Sequence, residues 1–136
     1  MTMRPDSASY AHEPVRYPPL HIVDLADEAA AATGEYTNHV IQAVNGHCLR
    51  LAVFDGEYPW HRHTTSDELF LVVEGCLFID LTDGRTLRLG PWQAATVPAG
   101  TVHRTRTEGR AVNLCFEELA ADTEFLQRPE LGGDVA

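Results

Sequence analysis

The sequence predicts an all-β domain, an antiparallel sandwich or barrel with one short helix ahead of it, in a chain of 136 residues. Two observations carry this reading. From residue 38 onward, short runs of Val, Leu, Ile, Thr and Phe are cut at regular intervals by Gly, Asn and Asp, the texture of strands joined by tight turns. Three histidines and a glutamate, His61, His63, Glu68 and His103, are spaced so that only a folded-over or closed β structure brings all of them together. At this length the chain is most simply one domain around a single core.

Taken in order, residues 1–19 hold Pro5, Pro14, Pro18 and Pro19 among polar residues and read as an extended or flexible arm. Residues 20–23 suit a short strand. The run from Asp24 through the alanines before Thr33 is a good helix former with an Asp N-cap, and Gly34 is expected to stop it. Strands are expected near 38–44, 48–54, 58–63, 68–74, 76–82, 85–89, 93–97, 101–107 and 110–117. Turn signals such as Asn45-Gly46, Asp55-Gly56 and Gly90-Pro91 separate them, and Thr82-Asp83-Gly84-Arg85 is a strong hairpin turn by itself. Residues 117–125 are expected to add one or two helical turns, and residues 127–136 to fray. One barrel domain is therefore drawn over 20–120, with 121–136 as a tail.

Composition narrows the function. A net charge of −10 argues against nucleic acid or an anionic membrane as partner, since both need a cationic face, and leaves a small molecule as the default. No apolar run approaches the roughly 20 residues that span a bilayer, and the N-terminus has no signal-peptide stretch, so a cytoplasmic protein is expected. The chain has no lysine, which removes Schiff-base and phosphate-loop chemistry, and none of its three serines lies in a G-x-S-x-G elbow. Cys48, Cys76 and Cys115 lack any C-x-x-C pattern, so neither a disulfide framework nor a thiolate zinc site is expected; Cys76 and Cys115 read as small core residues.

The donor set points to a divalent first-row metal. His61 and His63 alternate with Arg62, so on a strand both imidazoles project from one face and Arg62 from the other. Glu68 lies five residues beyond His63, an odd offset, but the turn formers Thr64-Thr65-Ser66-Asp67 permit a reversal that lets Glu68 open the neighbouring strand. His103 arrives from another strand through the turn Pro98-Ala99-Gly100.

These residues resemble the cupins. Gly56, His61, His63, Glu68 and Gly75 are similar to the first motif of that family, and Pro98, Gly100 and His103 to the second, P-x-G-x-x-H. The glycine that usually opens the second motif falls on Trp92, and the asparagine that often closes it is Thr107. Within the family the chain looks most similar to small single-domain cupins loosely grouped with mannose-6-phosphate isomerase. The resemblance implies a conical double-stranded β-helix (jelly-roll) barrel. It implies one divalent transition metal per chain (Fe, Zn, Mn or Ni) held by His61, His63, Glu68 and His103, with no organic cofactor. It also implies a homodimer, to which residues 1–23 could contribute an exchanged strand.

Alternation nominates further pocket residues. Phe70 and Val72 share a face with Glu68, and Thr105 and Thr107 with His103. Arg50 falls on the opposite face to Leu49, Leu51 and Val53; it is either an exposed arginine or, if it points inward, an anchor for a carboxylate or phenolate of the substrate. Trp60 and Trp92 read as packing aromatics. Among the remaining histidines, His12, His21, His39 and His47, the better candidates for a proton shuttle at a pocket mouth are His39 and His47.

Four protein ligands on an octahedral ion leave about two positions for a chelating substrate, or for one substrate oxygen and dioxygen. The expected activity is therefore a metal-dependent enzyme on a small oxygenated substrate, with dioxygenase-type oxidation first and Glu68 able to carry a proton. The alternatives are a redox-neutral isomerase or cyclase of polyketide-cyclase type, and a non-catalytic metal-dependent binding or sensor module.

Overall fold

The computed structural model describes residues 13–127. The order is α1 (Leu25–Ala31), β1 (Tyr36–Val44), β2 (His47–Phe54), β3 (Glu57–Arg62), β4 (Glu68–Glu74), β5 (Leu77–Leu81), β6 (Thr86–Leu89), β7 (Ala94–Val97), β8 (His103–Thr107), β9 (Ala111–Glu118) and β10 (Glu124–Phe125). They form two antiparallel five-stranded sheets, ordered β1-β2-β9-β4-β7 and β10-β3-β8-β5-β6. The chain crosses repeatedly between the sheets, as a double-stranded β-helix does. The expected all-β jelly roll with a short N-terminal helix is the observed fold, and each expected strand from 38 to 117 is present within two residues at its ends.

The core lies between the sheets, where Phe54, Phe70, Val72, Leu77, Ile79 and Cys115 pack together. A second apolar layer covers the outer face of the first sheet: Ile41, Leu51, Val53 and Val112 meet Leu25, Ala29 and Ala32 of the helical segment and Tyr17 of the arm. Strand β2 is consequently buried on both faces, with Leu51 and Val53 turned outward under the helix and Arg50, Ala52 and Phe54 turned toward the space between the sheets.

Three local expectations are corrected. Residues 20–23 form no strand; Leu20 takes a left-handed φ of 70° after Pro18-Pro19, and Leu20 and Ile22 stand exposed. The arm pairs earlier instead, where Arg16 and Tyr17 donate their backbone N–H groups to Val40 and Ile41 at 2.8 and 3.1 Å. The helix begins as expected, with Asp24 accepting from the Asp27 N–H at 3.1 Å, but it ends at Ala31, and Gly34 belongs to the following turn. Residues 117–125 contain no helical turn. Strand β9 runs on to Glu118, and β10 pairs with β3 because the free edge of β3 offers backbone partners, Leu126 N–H reaching Trp60 O at 3.0 Å. The expectations for residues 1–12 and 128–136 lie outside the described residues. No helix among the described residues is long and apolar enough to cross a membrane.

Candidate metal centre

Three strands of the two sheets deliver the donors. Strand β3 supplies His61, His63 follows it directly, β4 opens on Glu68 across the Thr64–Asp67 turn, and β8 opens on His103, opposite His61 in register. The loop is held shut from both sides. Asp122 accepts from the Thr64 N–H and Oγ1 at 3.0 and 2.6 Å, and the Gly100 N–H donates to the His63 carbonyl at 2.7 Å. One donor atom from each of His61, His63, Glu68 and His103 lies within 4.8 Å of every other, and all four residues are buried. Metal–ligand bonds of about 2.1 Å place donor atoms about 3–4 Å apart around one ion, so this cluster could hold a metal.

The tautomers fit the same reading. Each imidazole donates its Nδ1–H to a backbone carbonyl: His61 to Pro59 at 2.8 Å, His63 to Asp122 at 2.8 Å and His103 to Thr101 at 2.9 Å. A carbonyl only accepts, so Nδ1 carries the proton and Nε2 is the nitrogen left for the ion, the arrangement by which a metal-binding histidine is usually oriented. His103 Nε2 is buried with no hydrogen-bond partner among the described residues, as expected of an atom whose partner is a cation.

Electrostatics separates the histidines. Burial lowers the pKa of His61 and of His103, and for His61 the neighbouring imidazoles add to the effect, so both favour the neutral, ligating form. His63 behaves differently. Burial would lower it, but the Glu68 carboxylate at 2.9 Å and Glu117 beyond raise it to about 9, while His63 in turn holds Glu68 below its usual value against the upward pull of burial. Without a cation, His63 and Glu68 thus form an imidazolium–carboxylate pair in the place where the ion would lie.

His61, His63, Glu68, Phe70 and Thr105 line a small cavity of about 30 Å³. Val72 and Thr107, also nominated from the sequence, do not line it. Val72 packs in the core with Leu77 and Ile79, and Thr107 Oγ1 accepts from the Gly56 N–H at 2.9 Å. Each shares a face with its ligand but stands four residues away, roughly 13 Å along a strand, whereas Phe70 and Thr105 are only two residues away.

Arg50 points inward and is buried, so the exposed alternative is overturned. Its guanidinium is engaged by the chain's own groups, with Glu117 Oε1 3.1 Å from Nε and with Asn38 Oδ1 and Glu13 Oε1 3.1 and 3.5 Å from Nη1. It does not line the cavity, so it is not placed as a substrate anchor. His47 lies against Phe116 at the surface, and neither it nor His39 lines the cavity.

Sequence reasoning missed Tyr58, Asn113, Cys115 and Glu117. Tyr58 precedes His61 by an odd offset, which a regular strand would place on the opposite face; a bulge between them, marked only by Pro59, returns both to the cavity side. Asn113, Cys115 and Glu117 alternate on the inner face of β9, a pattern present in the sequence but masked by the more apolar Val112, Leu114 and Phe116 on the other face.

The comparisons with known proteins point to one family. Residues 50–117 match the Cupin domain family, Cupin_2. The uncharacterized protein YdbB of Bacillus subtilis (strain 168) is 50% identical over 93 residues, which are 68% of this chain and 82% of that protein. A cupin-2 domain containing protein from Shewanella frigidimarina superposes with a TM-score of 0.67 at 25% identity, over 71% of this chain and 94% of that one. Protein NMB1881 from Neisseria meningitidis does so with a TM-score of 0.65 at 28% identity, over 72% and 99%. The fold, the two motifs and these matches together show that the chain belongs to the cupin family.

Proposed function

We propose that the protein is a metal-dependent enzyme acting on a small oxygenated organic molecule that chelates the metal, with dioxygenase-type oxidation as the leading reaction. The observation that carries this reading is the convergence of three imidazole nitrogens and one carboxylate beside a cavity of about 30 Å³, which His61, His63 and Glu68 line. A water-sized group needs about 10–15 Å³ by this measure, so an ion would leave space for only one or two further small groups. Ala52, Phe54, Phe70 and Leu77 make much of the wall apolar, which suits dioxygen beside a substrate oxygen and disfavours bulk water. The bound cation would supply a Lewis acid or, if it is iron, a one-electron centre.

Within this proposal, His61 and His103 hold their positions as neutral ligands through their carbonyl-bonded Nδ1 atoms. Glu68 would be the proton carrier: in the metal-free chain its Oε1 accepts from His63 Nε2 at 2.9 Å, so this oxygen is placed to hold a proton. Phe70, edge-on to His103 with ring centroids 6.1 Å apart, and Thr105 shape the wall beside the ligands.

A redox-neutral isomerase or cyclase is the second reading. It is favoured by Tyr58, whose hydroxyl at the cavity is pushed far up by burial and stays protonated, as a proton donor must. The test is iron-loaded protein screened against small hydroxy and keto compounds in an oxygen electrode. Oxygen consumption that follows product supports oxidation; turnover under strict anaerobiosis overturns it in favour of the redox-neutral reading. A ligand recovered unchanged from a tight complex would instead make the protein a binding module.

We also propose that the chain is a homodimer, a reading supported by Leu20 and Ile22, whose apolar side chains stand exposed in the segment between the arm and the helix. Light scattering of the purified protein decides it, and a monomer at micromolar concentration overturns it.

A further inference from the structure

Beside the orphaned Nε2 of His103, two more buried polar atoms at this site have no hydrogen-bond partner among the described residues: the Tyr58 hydroxyl and Asn113 Oδ1. Both residues line the cavity, Tyr58 from β3 of one sheet and Asn113 from β9 of the other, and they are 6% and 1% exposed. Their surroundings do not explain them. The Tyr58 ring is packed edge-on to His61 at 4.8 Å and against Tyr36 at 5.6 Å, contacts that a phenylalanine would make equally well. Asn113 spends its Nδ2 on Cys115 Sγ at 3.0 Å and leaves the oxygen toward the cavity unused. A buried hydroxyl and a buried amide oxygen without partners are costly, and the simplest group to satisfy both is a ligand.

We propose that Tyr58 and Asn113 form a second recognition pole beside the metal, and that the substrate is a small 2-hydroxycarboxylate. This rests on the metal reading above. The Tyr58 hydroxyl carries one O–H and is buried without a partner among the described residues, so it donates to an oxygen that accepts. Asn113 Oδ1 is an acceptor, so it faces a hydroxyl that donates. An acceptor oxygen and a hydroxyl within one very small molecule define a hydroxyl carbon next to a carbonyl or carboxylate. Charge selects the carboxylate: a divalent ion with the single negative charge of Glu68 leaves one positive charge, while Arg50 and Glu117 are paired with each other at 3.1 Å behind the site. A monoanion neutralises what remains. The cavity of about 30 Å³ leaves room beside an ion for little more than one hydroxyl and one carboxylate group.

The experiment titrates cobalt(II)-loaded protein with glycolate, acetate and methoxyacetate, reading the visible cobalt spectrum, with cobalt content measured on the same samples. The wild-type chain is expected to bind glycolate at least tenfold more tightly than either acetate or methoxyacetate. Tyr58→Phe should keep its cobalt content and lose about tenfold in affinity for glycolate and for acetate alike, since both present the carboxylate oxygen, whereas Asn113→Ala should abolish the preference for glycolate over methoxyacetate and leave acetate affinity unchanged. Metal-free Tyr58→Phe should melt no lower than wild type, because it removes an unpaired hydroxyl. Equal binding of glycolate and methoxyacetate by the wild type, which requires no variant to fold, overturns the proposal. So does a glycolate preference that survives both substitutions, since that is simple chelation. A chain that takes up no cobalt overturns the metal reading itself, a result distinct from cobalt uptake without discrimination.

Discussion

Arg50 Nε lies 3.1 Å from Glu117 Oε1 with both side chains fully buried, and the other oxygen of Glu117 lies 3.7 Å from His63 Nε2. The pair connects the N-terminal arm to the His63–Glu68 cluster, because Glu13 reaches Arg50 from the arm at 3.5 Å and also accepts from the Val40 N–H at 2.9 Å. The Arg50 guanidinium is thus the counter-charge of a second buried carboxylate next to His63.

Removing Arg50 alone should therefore be severe. Breaking a buried ion pair from one side leaves the other charge uncompensated, at a cost of about 3–5 kcal/mol. Arg50→Met is expected to lose that much stability in urea denaturation, whereas Arg50→Met combined with Glu117→Gln should recover a good part of it. A single variant within about 0.5 kcal/mol of wild type would show that the pair is not the internal counter-charge described here.

Metal loading should depend on pH over a wider range than free histidines would give. The expectation from the unperturbed imidazole is a loss of affinity below about pH 6. The raised value of about 9 for His63 extends this upward, since below it the metal-free site holds a proton that the cation must displace. His61 and His103 are lowered and add nothing near neutrality. Zinc or cobalt affinity is expected to rise about tenfold per pH unit between pH 7 and about 9, with about one proton released per ion. Calorimetry in buffers of different ionisation enthalpy measures that proton, and affinity independent of pH across this range contradicts the pairing of His63 with Glu68.

A second titration reports on the fold rather than the site. Asp80 accepts from Arg104 Nε and Nη2 at 3.0 and 2.8 Å, from Arg106 Nε at 2.8 Å and from Thr86 Oγ1 at 2.7 Å. Burial would raise its pKa, but these donors, Arg106 first, hold it at about 2. A depressed folded value means that the stabilisation is complete above the unfolded value of 3.8 and disappears as the pH falls through about 2. Asp80→Asn should cost about 2 kcal/mol at pH 7 by that linkage, and the gap between variant and wild type should close in acid. A gap that persists undiminished at pH 2 would falsify the assignment.

Much of this was legible in the sequence, and the exceptions share a cause. The quartet could be read because H-x-H fixes a face and the turn residues fix where Glu68 and His103 enter. Strand β10 could not, since two residues have no periodicity and the free edge of β3 creates the strand. Tyr58 was hidden by a bulge that changes the parity of its offset from His61. Arg50 stayed open between an exposed and an inward position because a strand buried on both faces gives no alternation to separate inside from outside, and the apolar face of β2 lies outside, under the helix and the arm.

The last test concerns the position where the family's second motif usually opens with glycine. Trp92 occupies it with a left-handed φ of 67° and is 76% exposed. Its backbone is held there by the turn, with Trp92 N–H donating to Val72 O at 2.7 Å and Gln93 N–H to Gly90 O at 3.1 Å, so the conformation cannot relax without breaking the link to β4. A left-handed side-chain residue costs about 1–2 kcal/mol, and a glycine costs about 0.5–1 kcal/mol in unfolded-state entropy. Trp92→Gly is thus expected to gain about 0.5–1 kcal/mol by thermal or urea denaturation. Gly75 has a similar φ of 80° but the opposite prediction, because a Cβ there would collide with the Arg110 carbonyl oxygen and press on Ala111. Gly75→Ala should lose more than about 2 kcal/mol, strain and steric collision acting together. If Trp92→Gly proves destabilising by more than about 1 kcal/mol, contacts of the indole outweigh the backbone strain, and the ring is a structural part of the pocket wall it shares with Leu25, Ala26 and Ala29.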